Sequence, residues 1–288
     1  MKKFLFWLLG IILAGVITLG LLYGPMMFAF LKVTEVTLDP HAKVFLGGGG
    51  NSLVLTSPDN TQVVVVDTKM GKTAAKLKAY VDSLGANNKV TVIGTHFHGD
   101  HTGGNSLFVG ATVIAGKYTE EFWKKQTGSK YPDVLVAAGE EKTVDLGSGE
   151  LVKIFNLGDA HTQNDTVVYI PSRKLLVTGD LLFNHWNPVL KKESDTNVAQ
   201  WIKALDTLLQ KYDIQTVLPG HGPVTNREGM AEMRDYFSSI YTAVGQPERL
   251  AELRVKYKNY SSLPGMSGFD KTVQYIENEK TQNAEKKQ

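Results

Sequence analysis

The chain opens with a long apolar run. Residues 4–31 contain no charged side chain and follow Lys2 and Lys3. A bilayer-spanning helix needs about 20 apolar residues, whereas a cleaved signal peptide has an apolar core of only roughly 7–15. The run therefore predicts a transmembrane anchor over residues 1–32, or else an uncleaved signal sequence. Lysines at its start predict, by the positive-inside rule, that the residues from 33 onward lie outside the cytoplasm.

After residue 32 the apolar positions follow strand and helix periods in turn. QVVVVD at 62–67 and KVTVIG at 89–94 are typical of strands that are buried on both faces. Strands are predicted at 33–38, 43–46, 52–56, 62–67, 89–94, 112–115, 142–146, 151–157, 166–170, 175–178 and 216–218. Helices are predicted at 71–84, 119–125, 197–211, 228–244 and 247–257. Two series of strands, each followed by helices, predict an α/β domain over residues 33–276 with two sheets between helical layers. A flexible polar tail is expected at 277–288.

Composition excludes several function classes. The 31 basic and 29 acidic residues leave a formal net charge of +2, so no broad basic field is available to attract a nucleic acid. Cysteine is absent, which excludes disulfides, thiolate metal ligands and a cysteine nucleophile. Any metal must therefore be bound by histidine, carboxylate or backbone groups.

Histidines cluster after the predicted strands. Five of the seven lie in three short segments, which contain His96, His98 and His101, then His161, and then His221. In the segment HFHGDH, glycine allows a tight turn that can present neighbouring imidazoles to one cation. The alternative is a histidine-rich surface loop with no ligand, but this spacing is a much stronger motif than a lone histidine pair. Asp180, at the end of another apolar run, adds a carboxylate.

These motifs resemble those of the metallo-β-lactamase superfamily. HFHGDH, the later His161, Asp180 and His221, and the glycine-rich GGGGNSLVL carry the resemblance over roughly residues 40–225. It implies an αββα four-layer sandwich with two metal ions at one edge, bridged by Asp180. It implies that Asp67 orients a ligand without binding metal. The ligands implied for the first ion are His96, His98 and His161, and those for the second are Asp100, His101 and His221.

The aspartate at position 180 narrows the implied chemistry. An aspartate there is typical of glyoxalase II-like thioesterases and lactonases, whereas the main zinc β-lactamases have cysteine or serine. The resemblance implies a hydrolase that acts on an ester, thioester, lactone or β-lactam bond of a small acyl substrate. Two zinc ions are expected, although iron or manganese also suits these ligands. Water bridging two zinc ions ionises near neutral pH, and Asp100 is the candidate proton acceptor.

Other readings stay open from the sequence. The protein could instead be a membrane-anchored accessory protein that binds metal without efficient hydrolysis. His41 is expected at the surface, and His185 is expected either at the pocket mouth or in an exposed loop without a role. Trp123 and Trp186 could contact substrate or pack internally. The helices after residue 225 are expected to be a packing layer, but they could also form one wall of the pocket or a dimer contact, so the oligomeric state is undetermined.

Overall fold

The computed structural model describes residues 32–85 and 89–286. Within these two ranges, no helix combines the length and the apolar character that a bilayer span requires. The anchor expected over residues 1–32 lies outside the described residues, except for Lys32.

Twelve strands form two sheets in the described part of the chain. In chain order they are β1 Val33–Asp39, β2 Ala42–Gly47, β3 Ser52–Thr56, β4 Gln62–Val66, β5 Lys89–Ile93, β6 Thr112–Gly116, β7 Val134–Val136, β8 Glu141–Asp145, β9 Leu151–Gly158, β10 Asp165–Ile170, β11 Leu175–Phe183 and β12 Thr216–His221. The first seven form one sheet in sequential order. The second sheet has the order β12-β11-β10-β9-β8.

Seven α-helices accompany the sheets within residues 32–85 and 89–286. They are α1 Gly71–Ser83, α2 Gly99–Thr102, α3 Glu120–Thr127, α4 Val198–Lys211, α5 Arg227–Ala243, α6 Pro247–Lys256 and α7 Phe269–Glu285. Three of them begin with the side-chain caps that their sequences favour. Thr119 accepts from Phe122 N before α3, Asn197 accepts from Gln200 N before α4, and Asn226 accepts from Gly229 N before α5.

The core has three layers of apolar contacts. The faces of the two sheets meet through residues such as Leu53, Val64 and Val177. Leu77 of α1 packs on the outer face of the larger sheet, and Trp201 of α4 belongs to the cluster on the outer face of the smaller one. Helix, sheet, sheet and helix therefore stack as four layers, as the resemblance implied.

The carboxyl ends of several strands lie at one edge of this sandwich. β4 and β5 are parallel, as are β11 and β12, so each pair ends at a common edge. The turn after β9 joins the same edge of the smaller sheet, because β9, β10 and β11 are successively antiparallel. Asn51 N donates to Gly220 O at 2.8 Å and links the two sheets there.

The structure differs from the sequence pattern mainly near the ends of elements. β7 is only three residues long, too short to give a periodic signal. The expected tail after residue 276 is helical as far as Glu285. Ile276 is buried, and the Glu279 carboxylate accepts from Val198 N and Ala199 N at 2.7 and 3.1 Å. This carboxylate at the amino end of α4 explains the order of a polar segment.

Candidate metal centre

The predicted ligands come together at the shared edge of the two sheets. His96 and His98 follow β5, and Asp100 and His101 lie on the short helix α2. The other three come from the smaller sheet: His161 from the turn after β9, Asp180 from within β11 and His221 from the end of β12. Segments far apart in the sequence thus supply one cluster.

Four donor atoms form the first group. His98 Nδ1 lies 3.1 Å from His96 Nε2 and 3.1 Å from His161 Nε2. Asp180 Oδ2 lies 3.3 Å from His161 Nε2 and 3.8 Å from His96 Nε2. All four atoms lie within 4.8 Å of one another.

The second group uses the other carboxylate oxygen of Asp180. Asp180 Oδ1 lies 3.0 Å from His101 Nε2 and 3.3 Å from His221 Nε2. Asp100 Oδ2 lies 3.6 Å from His101 Nε2 and 3.3 Å from His221 Nε2. The two oxygens of Asp180 therefore face different sets of imidazoles.

Both groups have the size that zinc requires. A tetrahedral site with Zn–N bonds of about 2.0 Å has about 3.3 Å between neighbouring donors, close to the separations in each group. Two buried atoms within the cluster, His101 Nε2 and Asp180 Oδ1, are 3.0 Å apart but form no hydrogen bond with each other or with any other described residue. Buried polar atoms are normally satisfied, so these atoms fit a role as metal donors. The donor set also suits other divalent transition metals, because it lacks sulfur.

The two donor groups differ in the protonation state of their histidines. Burial lowers the pKa of His98 to about 4 and that of His161 to about 3, and it also holds the pKa of His96 well below its ordinary value. These three rings are therefore neutral near pH 7 and offer lone pairs.

The second group carries opposite charges. Burial favours neutral carboxyls, but nearby imidazoles outweigh it and hold the pKa values of Asp100 and Asp180 well below their usual range. Burial likewise disfavours a charged His221, yet Asp180 and Asp100 raise its pKa to about 9. The same carboxylates, with Asp67, raise the pKa of His101 well above its ordinary value. The two imidazoles of this group are therefore protonated, and their positive charges balance the two ionised carboxylates.

Asp67 orients two of the imidazoles. Its Oδ2 accepts from His101 Nδ1 at 2.7 Å and from Thr95 Oγ1 at 2.8 Å, while Oδ1 accepts from Thr95 N at 2.8 Å. Thr95 Oγ1 is also 3.1 Å from His96 Nδ1. Bonds of this kind fix which ring nitrogen faces the cluster. The geometry agrees with the orienting role that the resemblance implied for Asp67.

The glycine-rich loop after β2 packs directly against the cluster. A Cβ on Gly50 would lie 2.5 Å from His101 Cε1, so only glycine fits there without displacement. Lys69 is fully buried and its ammonium donates to the backbone oxygens of Phe45, Gly47 and Gly50 at 2.9, 2.6 and 2.6 Å. Three acceptors require three N–H donors, which favours the charged form, although burial lowers the pKa of Lys69 to about 7.

A cavity of about 440 Å³ opens beside the donors. Its lining includes five of the seven predicted ligands, the two apolar side chains Met70 and Val189, the ammonium-bearing Lys191, and part of the chain after α6. The five ligands are His98, Asp100, His161, Asp180 and His221. Small molecules therefore have access to the donor cluster.

Sequence reasoning missed several residues around the site. Ser194 Oγ lies 2.9 Å from His98 Nε2, and Lys191 lines the cavity. Both lie in the loop before α4, where neither spacing nor composition distinguishes them from surface residues. Thr95 gave one usable signal, since it directly precedes the histidine motif.

The remaining histidines and two tryptophans lie away from the donors. His41 is half-buried with Nδ1 3.1 Å from Thr56 Oγ1. His185 is exposed and faces Tyr260 outside the cavity lining. Trp123 is fully buried, and Trp186 packs on the core of the smaller sheet, so both pack internally.

Comparison with known proteins gives consistent matches. The family model of the metallo-beta-lactamase superfamily matches residues 46–221. The metallo-beta-lactamase IND-1 of Chryseobacterium indologenes is 34% identical over 212 residues, which cover 67% of this chain and 85% of that protein. The metallo-beta-lactamase type 2 of Bacteroides fragilis is 26% identical over 194 residues, covering 66% and 76% respectively.

Solved structures agree on the fold. A metallo-beta-lactamase from Pontibacter korlensis superimposes with a TM-score of 0.61 at 20% identity, covering 72% of this chain and 99% of that one. The crystal structure of VMB-1 gives the same TM-score and identity, with coverage of 73% and 98%.

Proposed function

Because the chain belongs to the metallo-beta-lactamase superfamily, we propose that it is a dinuclear zinc hydrolase of an ester, thioester, lactone or β-lactam bond. One observation carries the proposal: the two carboxylate oxygens of Asp180 face two separate sets of donors. A single bridging carboxylate between two groups of donors suits a pair of metal ions. The substrate is a small acyl compound, since the cavity beside the donors has a volume of about 440 Å³.

The proposed ligands divide between the two ions. Three histidines would hold the first, an aspartate and two histidines the second, and Asp180 both. In order, they are His96, His98 and His161, and then Asp100, His101 and His221. When bound, zinc would supply Lewis-acid activation of water and of the substrate carbonyl group. Iron or manganese is the alternative that this donor set allows.

Asp100 is the proposed proton acceptor. Its side chain is 22% exposed, whereas that of Asp180 is 5% exposed, and both line the cavity. The Asp100 carboxylate can therefore contact a water molecule at the cavity floor while it also faces His221 at 3.3 Å. Asp100 would accept the proton of the attacking water and pass it to the leaving group. Asp67 and Thr95 would hold His101 and His96 in the required orientation.

The relatives and the aspartate at position 180 favour different substrates. Both relatives described above are named metallo-beta-lactamases, which makes a β-lactam a candidate substrate for this chain. The aspartate at position 180 instead favours a thioester or lactone, by resemblance to enzymes that have this residue. The experiment below therefore tests all three bond types.

The accessory metal-binding role is the second candidate function. A purely structural site closes its coordination, whereas a catalytic site keeps a position open to solvent and substrate. Five of the proposed ligands line the cavity, and this access favours hydrolysis. We also propose, from the sequence of residues 1–32 alone, that this hydrolase is membrane-anchored and faces away from the cytoplasm. Protease digestion of intact spheroplasts would test that placement.

The decisive experiment measures metal content and initial hydrolysis rates together. The purified full-length protein would be loaded with zinc and given a chromogenic cephalosporin, a glutathione thioester and an acyl lactone. Asp100→Ala should abolish turnover and lower the zinc content while leaving the far-ultraviolet spectrum unchanged. The matched control is Asp213→Ala, because that exposed aspartate lies before β12, at the opposite end from His221.

Each outcome assigns the function. Turnover of one substrate class that Asp100→Ala loses and Asp213→Ala keeps would support the hydrolase and identify the bond. Two bound zinc ions without turnover of any substrate would favour the accessory role. Full activity of Asp100→Ala would contradict the proposed site.

A further inference from the structure

A loop beyond the family match forms one side of the cavity. Residues 261–267 lie between α6 and α7, after the matched residues 46–221. Three of their side chains, Leu263, Pro264 and Met266, line the cavity beside the donors. The 261–267 loop therefore lies outside the residues that the family model matches.

Backbone contacts hold the 261–267 loop against residues 186–189, which follow β11 of the smaller sheet. Bridges pair Trp186 with Ser261 and Val189 with Ser267. Asn187 N donates to Ser261 O at 2.8 Å. Contacts at both ends give the loop a defined position over the cavity.

Buried side chains support these contacts from below. The Asn187 amide donates to Ser262 Oγ at 3.1 Å and accepts from Tyr236 OH at 2.8 Å. Tyr236 OH also lies 3.1 Å from Thr272 Oγ1 of α7. Asn187, Tyr236 and Thr272 are all buried, so the loop rests on a satisfied polar network.

The surface presented to the cavity is apolar. Met266 is 50% exposed, and Met70, which lines the same cavity, is 44% exposed. Leu263 and Val189 complete this surface and are less exposed. Exposed apolar side chains that adjoin a cluster of polar donors indicate a site for the apolar part of a ligand.

We propose that the 261–267 loop and Met70 bind a hydrocarbon acyl chain on the substrate. The donors lie in the same cavity, so a chain held against Met266 would extend from a carbonyl group placed at His98 and Asp100. Burial would make binding depend on chain length, because each methylene group that leaves water strengthens binding by up to about fourfold. The placement of the substrate carbonyl group at the metal ligands rests on the proposed function.

The test is a chain-length series with two readouts. Calorimetry would measure the dissociation constants of linear alkanoates, from butanoate to decanoate, with the zinc-loaded full-length protein. Hydrolysis of the matching p-nitrophenyl esters would give kcat/KM. For the wild-type protein we expect affinity and kcat/KM to rise by about two- to fourfold per methylene group until the cavity is filled.

Variants at the exposed positions should flatten this dependence without unfolding the protein. Met70→Ser with Met266→Ser removes both exposed methionines, and serine is favourable at the helix-capping position 70. Met266→Leu should keep the chain-length dependence. Val109→Ser is the matched control, because Val109 is 93% exposed and does not line the cavity.

The two readouts separate the two proposals. Chain-dependent alkanoate affinity that the double serine variant loses, and Val109→Ser keeps, would support the acyl site whether or not esters are hydrolysed. Alkanoate affinity that is absent, independent of chain length, or unchanged in the double variant would overturn it. Failure to hydrolyse any ester, thioester, lactone or β-lactam would count against the proposed function alone.

Discussion

Replacing Asp67 by asparagine tests how the metal ligands are oriented. Asp67 is 1% exposed and has a φ of 59°, a conformation that asparagine adopts readily. Asp67→Asn therefore preserves size and backbone while it changes one acceptor into a donor. Depending on the orientation of the amide, the change affects either the bond from Thr95 N or the bonds from Thr95 Oγ1 and His101.

The two orientations of the asparagine amide have different costs. If its NH₂ group faces Thr95 N, two donors oppose each other in a buried site, which destabilises the fold by about 1–3 kcal/mol. If its NH₂ group faces His101, that ring must accept at Nδ1 and carry its proton on Nε2. Nε2 is the atom that faces Asp180 at 3.0 Å, so zinc binding would then weaken by about 10–100-fold.

Two measurements evaluate this reasoning. Urea denaturation of the metal-free protein gives the free energy of unfolding, and competition with a chromophoric chelator gives zinc affinity. Asp213→Asn is the surface control, since its side chain is 70% exposed. An Asp67→Asn protein with wild-type unfolding energy and wild-type affinity for both zinc ions would refute the orienting role.

Three further predictions concern the surroundings of the site. Gly50→Ala should lower zinc affinity by displacing His101, whereas Gly99→Ala, where an added Cβ meets nothing within 4 Å, should not; equal affinities would contradict the close-packing argument. Lys69→Met removes three hydrogen bonds to backbone carbonyls and should lower the free energy of unfolding by about 3 kcal/mol in urea titrations, and an unchanged midpoint would refute this. Lys191 lines the cavity, and its ammonium has no ion-pair partner in residues 32–85 and 89–286. Lys191→Met should therefore reduce kcat/KM for anionic acyl substrates more than for neutral esters, and equal losses would exclude charge recognition.

Local sequence was sufficient wherever one segment carries its own signal. The β-branched runs at 62–67 and 89–94 predict buried strands because they leave no polar face, and the structure has β4 and β5 there. HFHGDH predicts a metal-binding loop because several donors lie within six residues. The apolar spacing of α4 and α5 likewise predicted these helices to within a residue at each end.

Tertiary structure alone decided what depends on distant segments. Asp180 faces both donor groups because β11 and β12 end together at one edge, and Lys69 is buried because carbonyls of β2 and of the loop after it accept from its ammonium. The helix through residue 285 exists because Glu279 reaches the amino end of α4. The 261–267 loop has no motif of its own, and its contacts with residues 186–189 place it beside the cavity. Periodicity and spacing report interactions within a segment, whereas these features arise from contacts between segments that folding brings together.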